Sequence, residues 1–170
     1  MADEPLTVVI EIPKGSRNKY EYDHELDEIV LDRFLFSSVH YPMDYGFIPD
    51  TLSLDGDPLD VLCCVSEPTF PGCRIYTKPI ALFRMEDDKG IDDKVLCVPL
   101  TDPEWSNLEK LEDVHEPLRD EIQHFFSIYK DLERKKVTVD GWYSREDALE
   151  EIEASRKRFQ EDSGETHHDP

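Results

Sequence analysis

Short apolar runs with strand character fill the first hundred residues. Residues 7–13 read as a strand with one acid, Glu11, set inside it. A turn at 14–18 leads to an alternating stretch at 19–22, and 29–36 reads as a third strand. Further strands are predicted at 59–65, 74–85 and 94–100, among short Gly and Pro loops, a spacing typical of a small barrel. Residues 41–49 hold two prolines and a glycine and are predicted as an aromatic-rich loop. Helical periodicity appears late. Leu118, Ile122, Phe125, Phe126 and Tyr129 share one side of a helix over 117–129, with Pro117 suited to its first turn. Residues 136–139 form a short strand. Ser144, with Asp147 three residues on, caps a second helix that uses Ala148, Ile152 and Phe159 and ends near Gln160. Residues 161–170 are polar and predicted to be a disordered acidic and His tail, which leaves 1–160 as a single domain. Strands first and helices last define an α+β fold, a closed or nearly closed β-barrel with two helices outside it.

One short segment departs from this apolar pattern. Asp55-Gly56-Asp57-Pro58-Leu59-Asp60 places three carboxylates in one turn at the edge of a buried strand. Converging carboxylates with no Arg nearby in sequence suit hard divalent cations, Mg²⁺ first. Plain turn chemistry explains Asp-Gly-Asp-Pro as well, so both readings stand. An EF-hand does not: from Asp55, positions five, six and twelve are Leu59, Asp60 and Ser66.

Charge narrows the functional classes. The 170 residues carry 40 acidic and 19 basic side chains, a net charge of −21. That excludes sequence-independent nucleic-acid binding and docking on anionic lipid. No apolar run approaches membrane-spanning length, and the first residues lack the pattern of a signal peptide. Cys63, Cys64, Cys73 and Cys97 form no C-x-x-C, so neither structural zinc nor a disulfide framework is expected. The expected location is cytoplasmic.

A second acidic cluster runs over 86–94. Alone it reads as a solvated hairpin loop. Strand ends converge at a barrel mouth, however, and there Asp55, Asp57, Asp60, Asp87 and Asp92 could share a site. Such crowding of negative charge calls for several cations. Lys19, Arg33, Lys94 and Lys130, with Tyr45 and Tyr129, adjoin apolar segments. Each alone reads as a surface or snorkelling side chain. As a set they supply the forks, point charges and neutral donors that phosphoryl transfer uses beside carboxylate-held metal. His24, His40, His115 and His124 are scattered and receive no role, and Trp105 and Trp142 are expected to pack.

The chain resembles family I soluble inorganic pyrophosphatase. The resemblance is carried by Ile10-Glu11-Ile12-Pro13, Lys19-Tyr20-Glu21, Leu31-Asp32-Arg33-Phe34, Tyr41-Pro42-x-x-Tyr45-Gly46, the 55–60 hexapeptide, 87–94, and His124-Phe125-Phe126-x-x-Tyr129-Lys130-Asp131-Leu132-Glu133. The 13–21 stretch with Asp23-His24 is similar to the actinobacterial branch. Asp88 stands where many relatives carry Glu. The resemblance implies a five-stranded OB-like closed barrel with two flanking C-terminal helices. It implies hydrolysis of pyrophosphate to two orthophosphates with several Mg²⁺ per site, Mn²⁺ or Zn²⁺ being substitutes, and a homo-oligomer, commonly a hexamer. The family's metal ligands fall on Glu11, Asp55, Asp60, Asp87 and Asp92. Its substrate contacts fall on Lys19, Arg33, Tyr45, Lys94, Tyr129 and Lys130, and Glu21 matches a further active-site acid. Asp57 is the expected proton acceptor, with Asp92 the second choice. Two alternatives remain at this level. One is an acidic metal-binding OB-type module without catalysis. The other is an aspartyl-nucleophile phosphatase, which would require a doubly wound β-α-β pattern that the chain lacks.

Overall fold

The computed structural model describes residues 4–165. Eight strands and two helices follow in order: β1 (Leu6–Ile12), β2 (Asn18–Asp23), β3 (Glu28–Phe34), β4 (Asp44–Phe47), β5 (Asp60–Cys63), β6 (Arg74–Asp87), β7 (Gly90–Pro99), α1 (Glu116–Ile128), β8 (Thr138–Tyr143) and α2 (Arg145–Glu165). Six strands pair in the order β1-β4-β5-β7-β6-β8, and β1 pairs on its other side with β6. The β5–β7 pair is parallel; the other pairs are antiparallel. β2 and β3 form a separate hairpin.

Alternation divides the strands between two apolar cores. On β5 and the residue after it, Val61 and Cys63 face one core while Leu62 and Cys64 face the other. On β7, Val95 and Cys97 oppose Leu96 and Val98 in the same way. α1 covers one core with Ile122, Phe125 and Phe126; α2 covers the other with Ala148 and Ile152. Strands buried on both faces read as unbroken apolar runs, which is why these were plain in the sequence. Ser144 Oγ accepts the backbone N–H of Asp147 at 3.2 Å, as the capping pattern predicts. Trp105 and Trp142 pack against the α1-side core. The cysteines are free thiols, and among the described residues no helix is long and apolar enough to cross a membrane.

Three expectations are corrected. Residues 41–49 are not all loop, because β4 lies inside them and pairs with both β1 and β5. Gly46 permits that pairing: a Cβ there would lie 1.9 Å from the Val9 carbonyl oxygen. Gly46→Ala should therefore lower the melting temperature by about 2–12 °C, since the clash is with backbone and overpacking typically costs about 1–3 kcal/mol. A calorimetric scan checks this. The short strand predicted at 136–139 runs instead over Thr138–Tyr143, because Gly141, at φ 127°, sits in a bulged register rather than ending the strand. The second helix does not end near Gln160 but continues to Glu165, so 161–165 are helical; the remainder of the expected tail lies outside the described residues.

Candidate active site

A cleft of about 270 Å³ opens where the strand ends and the hairpins meet. β1 contributes Glu11, β2 Lys19 and Glu21, β3 Arg33 and β4 Tyr45. Asp55 and Asp57 come from the turn before β5, and Asp60 is the first residue of β5. The β6–β7 hairpin supplies Asp87 and Asp92, and the end of α1 supplies Tyr129 and Lys130. Twelve of the thirteen residues expected from the sequence thus line one cleft. The thirteenth, Lys94, is 1% exposed and lies against the cleft wall, bonded to three of its residues.

The 55–60 segment adopts the turn that its Asp-Gly-Asp-Pro sequence predicts. Gly56 adopts φ 92°, and Asp57 N–H donates to Asp55 Oδ1 at 3.0 Å, an Asx turn. The Asp57 carbonyl accepts Ser53 N–H at 2.7 Å. The same geometry presents both carboxyl groups to the cleft. In the second acidic cluster, strand alternation sorts the acids. Asp92 faces the cleft, whereas Asp93 is 2% exposed and held by Arg84 Nε and Nη2 at 2.7 and 2.9 Å.

Lys94 is the centre of the buried polar chemistry. Its Nζ donates to Tyr45 Oη at 2.8 Å, Asp60 Oδ2 at 3.0 Å and Asp92 Oδ2 at 3.2 Å. It also lies 5.0 Å from the ring centres of Tyr45 and Phe126. The parallel register Asp60↔Lys94 creates this contact. Burial pulls the lysine pKa down, but Asp60 and Asp92 more than reverse that, so the ammonium stays charged. Burial pushes the Tyr45 and Tyr129 hydroxyls up, so both remain neutral donors. Burial pulls Lys130 down, with Asp87 at 3.6 Å opposing it.

The cleft is short of positive charge. Glu11, Glu21, Asp55, Asp57 and Asp88 line it without an ion-pair partner among the described residues. Two of its cations are shared with acids that do not line it: Lys19 meets Asp32 at 3.2 Å, and Arg33 meets Asp32 and Glu133. Burial pushes the Glu11 carboxyl up to about 8, and the charges of Glu21 and Asp57 add to the effect. Burial also raises Asp55, against the hydrogen bond it accepts from Asp57 N–H. Oxygen donors lacking a counter-charge fit hard divalent cations. No three His, Cys, Asp or Glu side chains among the described residues are grouped closely enough to hold an ion. Asp55, Asp60 and Asp92 therefore do not form a ready-made common site; the Lys94 ammonium lies between the last two.

The sequence missed several lining residues. Lys89 and Lys135 add cations, while Tyr22, His24 and Phe47 form an aromatic wall with ring centres 4.8–5.6 Å apart. Only the basic run at 134–136 hinted at Lys135. His24 stood out only in the Asp23-His24 pair of the actinobacterial likeness and was given no role.

A cleft that pairs uncompensated carboxylates with Lys, Arg and Tyr donors is equipped to handle a multiply charged phosphate together with divalent cations. A family model for inorganic pyrophosphatase matches residues 8–160. The inorganic pyrophosphatase of Methanosarcina acetivorans is 57% identical over 155 residues, covering 91% of this chain and 92% of that protein. That of Streptomyces coelicolor is 57% identical over 159 residues, covering 92% and 97%, and accords with the actinobacterial likeness. The crystal structure of the Thermus thermophilus inorganic pyrophosphatase superposes with a TM-score of 0.90 at 47% identity, covering 94% and 93%. The chain belongs to the inorganic pyrophosphatase family.

Proposed function

We propose that the chain hydrolyses pyrophosphate to two orthophosphates with magnesium. The observation that carries this reading is the convergence of twelve candidate residues on one cleft, with Lys94 bonded beneath them. Glu11, Asp55, Asp60, Asp87 and Asp92 would hold the ions. Magnesium keeps several waters and is usually held by one or two carboxylates plus substrate phosphate, which suits a cleft without a closed carboxylate cage. When bound, it lowers the pKa of water and draws charge from phosphoryl oxygens. Lys19, Arg33, Tyr45, Tyr129 and Lys130 bind and orient the two phosphates, and Lys94 keeps Asp60, Asp92 and Tyr45 in register. Asp57 accepts the proton from the attacking water, its carboxylate free of any ion pair among the described residues; Asp92, held by Lys94, is the less available choice.

We read the ring of pairings from β1 through β4, β5, β7 and β6 back to β1 as a five-stranded OB-like barrel. Exposed Leu26, Leu31, Phe34 and Phe36 near the β2–β3 hairpin offer an apolar surface that a homo-oligomer, read as a hexamer, would cover. Free thiols suit a cytoplasmic enzyme. The aspartyl-nucleophile alternative loses its footing, since the parallel pair β5–β7 is linked by β6 rather than by a crossover helix.

The test is phosphate release from pyrophosphate by the full chain, with Mg²⁺ and with EDTA. Release with Mg²⁺ that stops on chelation is expected. A folded sample that binds divalent ions but releases no phosphate would leave the non-catalytic metal-binding module as the better reading.

A further inference from the structure

Arg33 is committed on two sides by carboxylates that do not line the cleft. Its Nε and Nη2 donate to Glu133 Oε1 and Oε2 at 2.5 and 3.2 Å, and its Nη1 donates to Asp32 Oδ2 at 2.6 Å. A guanidinium has five N–H groups in one plane. Three are used, so one hydrogen remains on each of Nη1 and Nη2. That pair is what a planar fork offers to two phosphoryl oxygens.

Glu133 is placed to decide where that fork points. It closes the 3-10 turn Asp131–Glu133, which follows directly on Tyr129 and Lys130 of the cleft. The turn is fixed by Glu133 N–H donating to the Lys130 carbonyl at 3.0 Å and by Arg134 in the left-handed region, φ 59°. Among the described residues β2 and β3 pair only with each other, so the hairpin carrying Lys19, Glu21 and Arg33 has no ladder to the main sheet. Glu133 reaches it from a hundred residues away, with its side chain 13% exposed. A bidentate, shielded pair has geometric force that an exposed single contact lacks.

We propose that Glu133 is a positioning residue for the reaction: it fixes the plane of Arg33 and latches the β2–β3 hairpin to the turn after α1, so that the remaining Nη hydrogens meet a phosphoryl group. This rests on the reading of Arg33 as a phosphate contact. Asp32 has a lesser part, joining Lys19 to Arg33.

The experiment compares full-length Glu133→Gln, Glu133→Asp, Arg33→Lys and the Arg33→Lys/Glu133→Gln double variant. It measures kcat and KM for pyrophosphate with Mg²⁺, and calorimetric binding of methylenediphosphonate. Glu133→Gln should raise KM and the analogue's Kd about tenfold while kcat falls less than about threefold. On the Arg33→Lys background the same change should add less than about twofold, because the residue acts through Arg33. A purely structural Glu133 would lower the melting temperature and leave KM unmoved. An unchanged KM in Glu133→Gln, or a full added effect on Arg33→Lys, overturns the proposal. Wild-type KM in Arg33→Lys itself overturns the phosphate-contact reading, and the proposal with it. If Glu133→Gln does not fold, Glu133→Asp is judged by the same two criteria.

Discussion

Lys94→Met should cost the metal-free protein on the order of 3–5 kcal/mol, because removing one partner of a buried ion cluster leaves the others uncompensated. Asp60 and Asp92 would then face each other with no ammonium between them. Methionine keeps the packing between the Tyr45 and Phe126 rings, so the loss reports charge rather than a cavity. In a chain of this size the melting temperature should fall by roughly 6–20 °C. Magnesium should restore more stability to the variant than it adds to the wild type, since it supplies the missing positive charge. Turnover should drop about 100-fold or more, as Tyr45 and the two carboxylates lose their common anchor. Thermal scans in EDTA and in saturating Mg²⁺, with steady-state rates, measure all three. Equal melting temperatures in EDTA would mean that the Lys94 cluster does not hold this wall of the cleft.

The sequence made the apolar strands legible because both faces of β5, β6 and β7 are buried and their runs are continuous. It lost β4 because its evidence lies elsewhere in the chain. Gly46 looks like a breaker until the Val9 carbonyl is brought against it. The acids divide in a similar way. Asp92 and Lys94 can be placed on one face by alternation, but Asp60 joins them only through the parallel register with β7. The excess of acid was read as a demand for metal. Part of it serves the protein's own cations instead: Asp93 holds Arg84, while Asp32 and Glu133 hold Arg33. Those partners are 9, 1 and 100 residues apart in sequence, and only the first two could have been suspected locally.

Asp57→Asn should reduce kcat about 100-fold or more, the usual contribution of a positioned general base, while leaving the fold and the magnesium titration nearly unchanged. The structure explains why these effects should separate. The Asp57 side chain is exposed and has no ion-pair partner among the described residues, and its part in the turn is played by its backbone N–H and C=O. An isosteric amide keeps the turn and removes only the ability to take a proton. Asp92→Asn is the informative contrast. Asp92 is 7% exposed and bonded to Lys94, so its amide should lose stability and activity together. A melting temperature within about 2 °C of wild type and a lost kcat identify Asp57 as the base; near-wild-type turnover in Asp57→Asn would transfer that role to Asp92 and make the exposed turn carboxylate an electrostatic bystander.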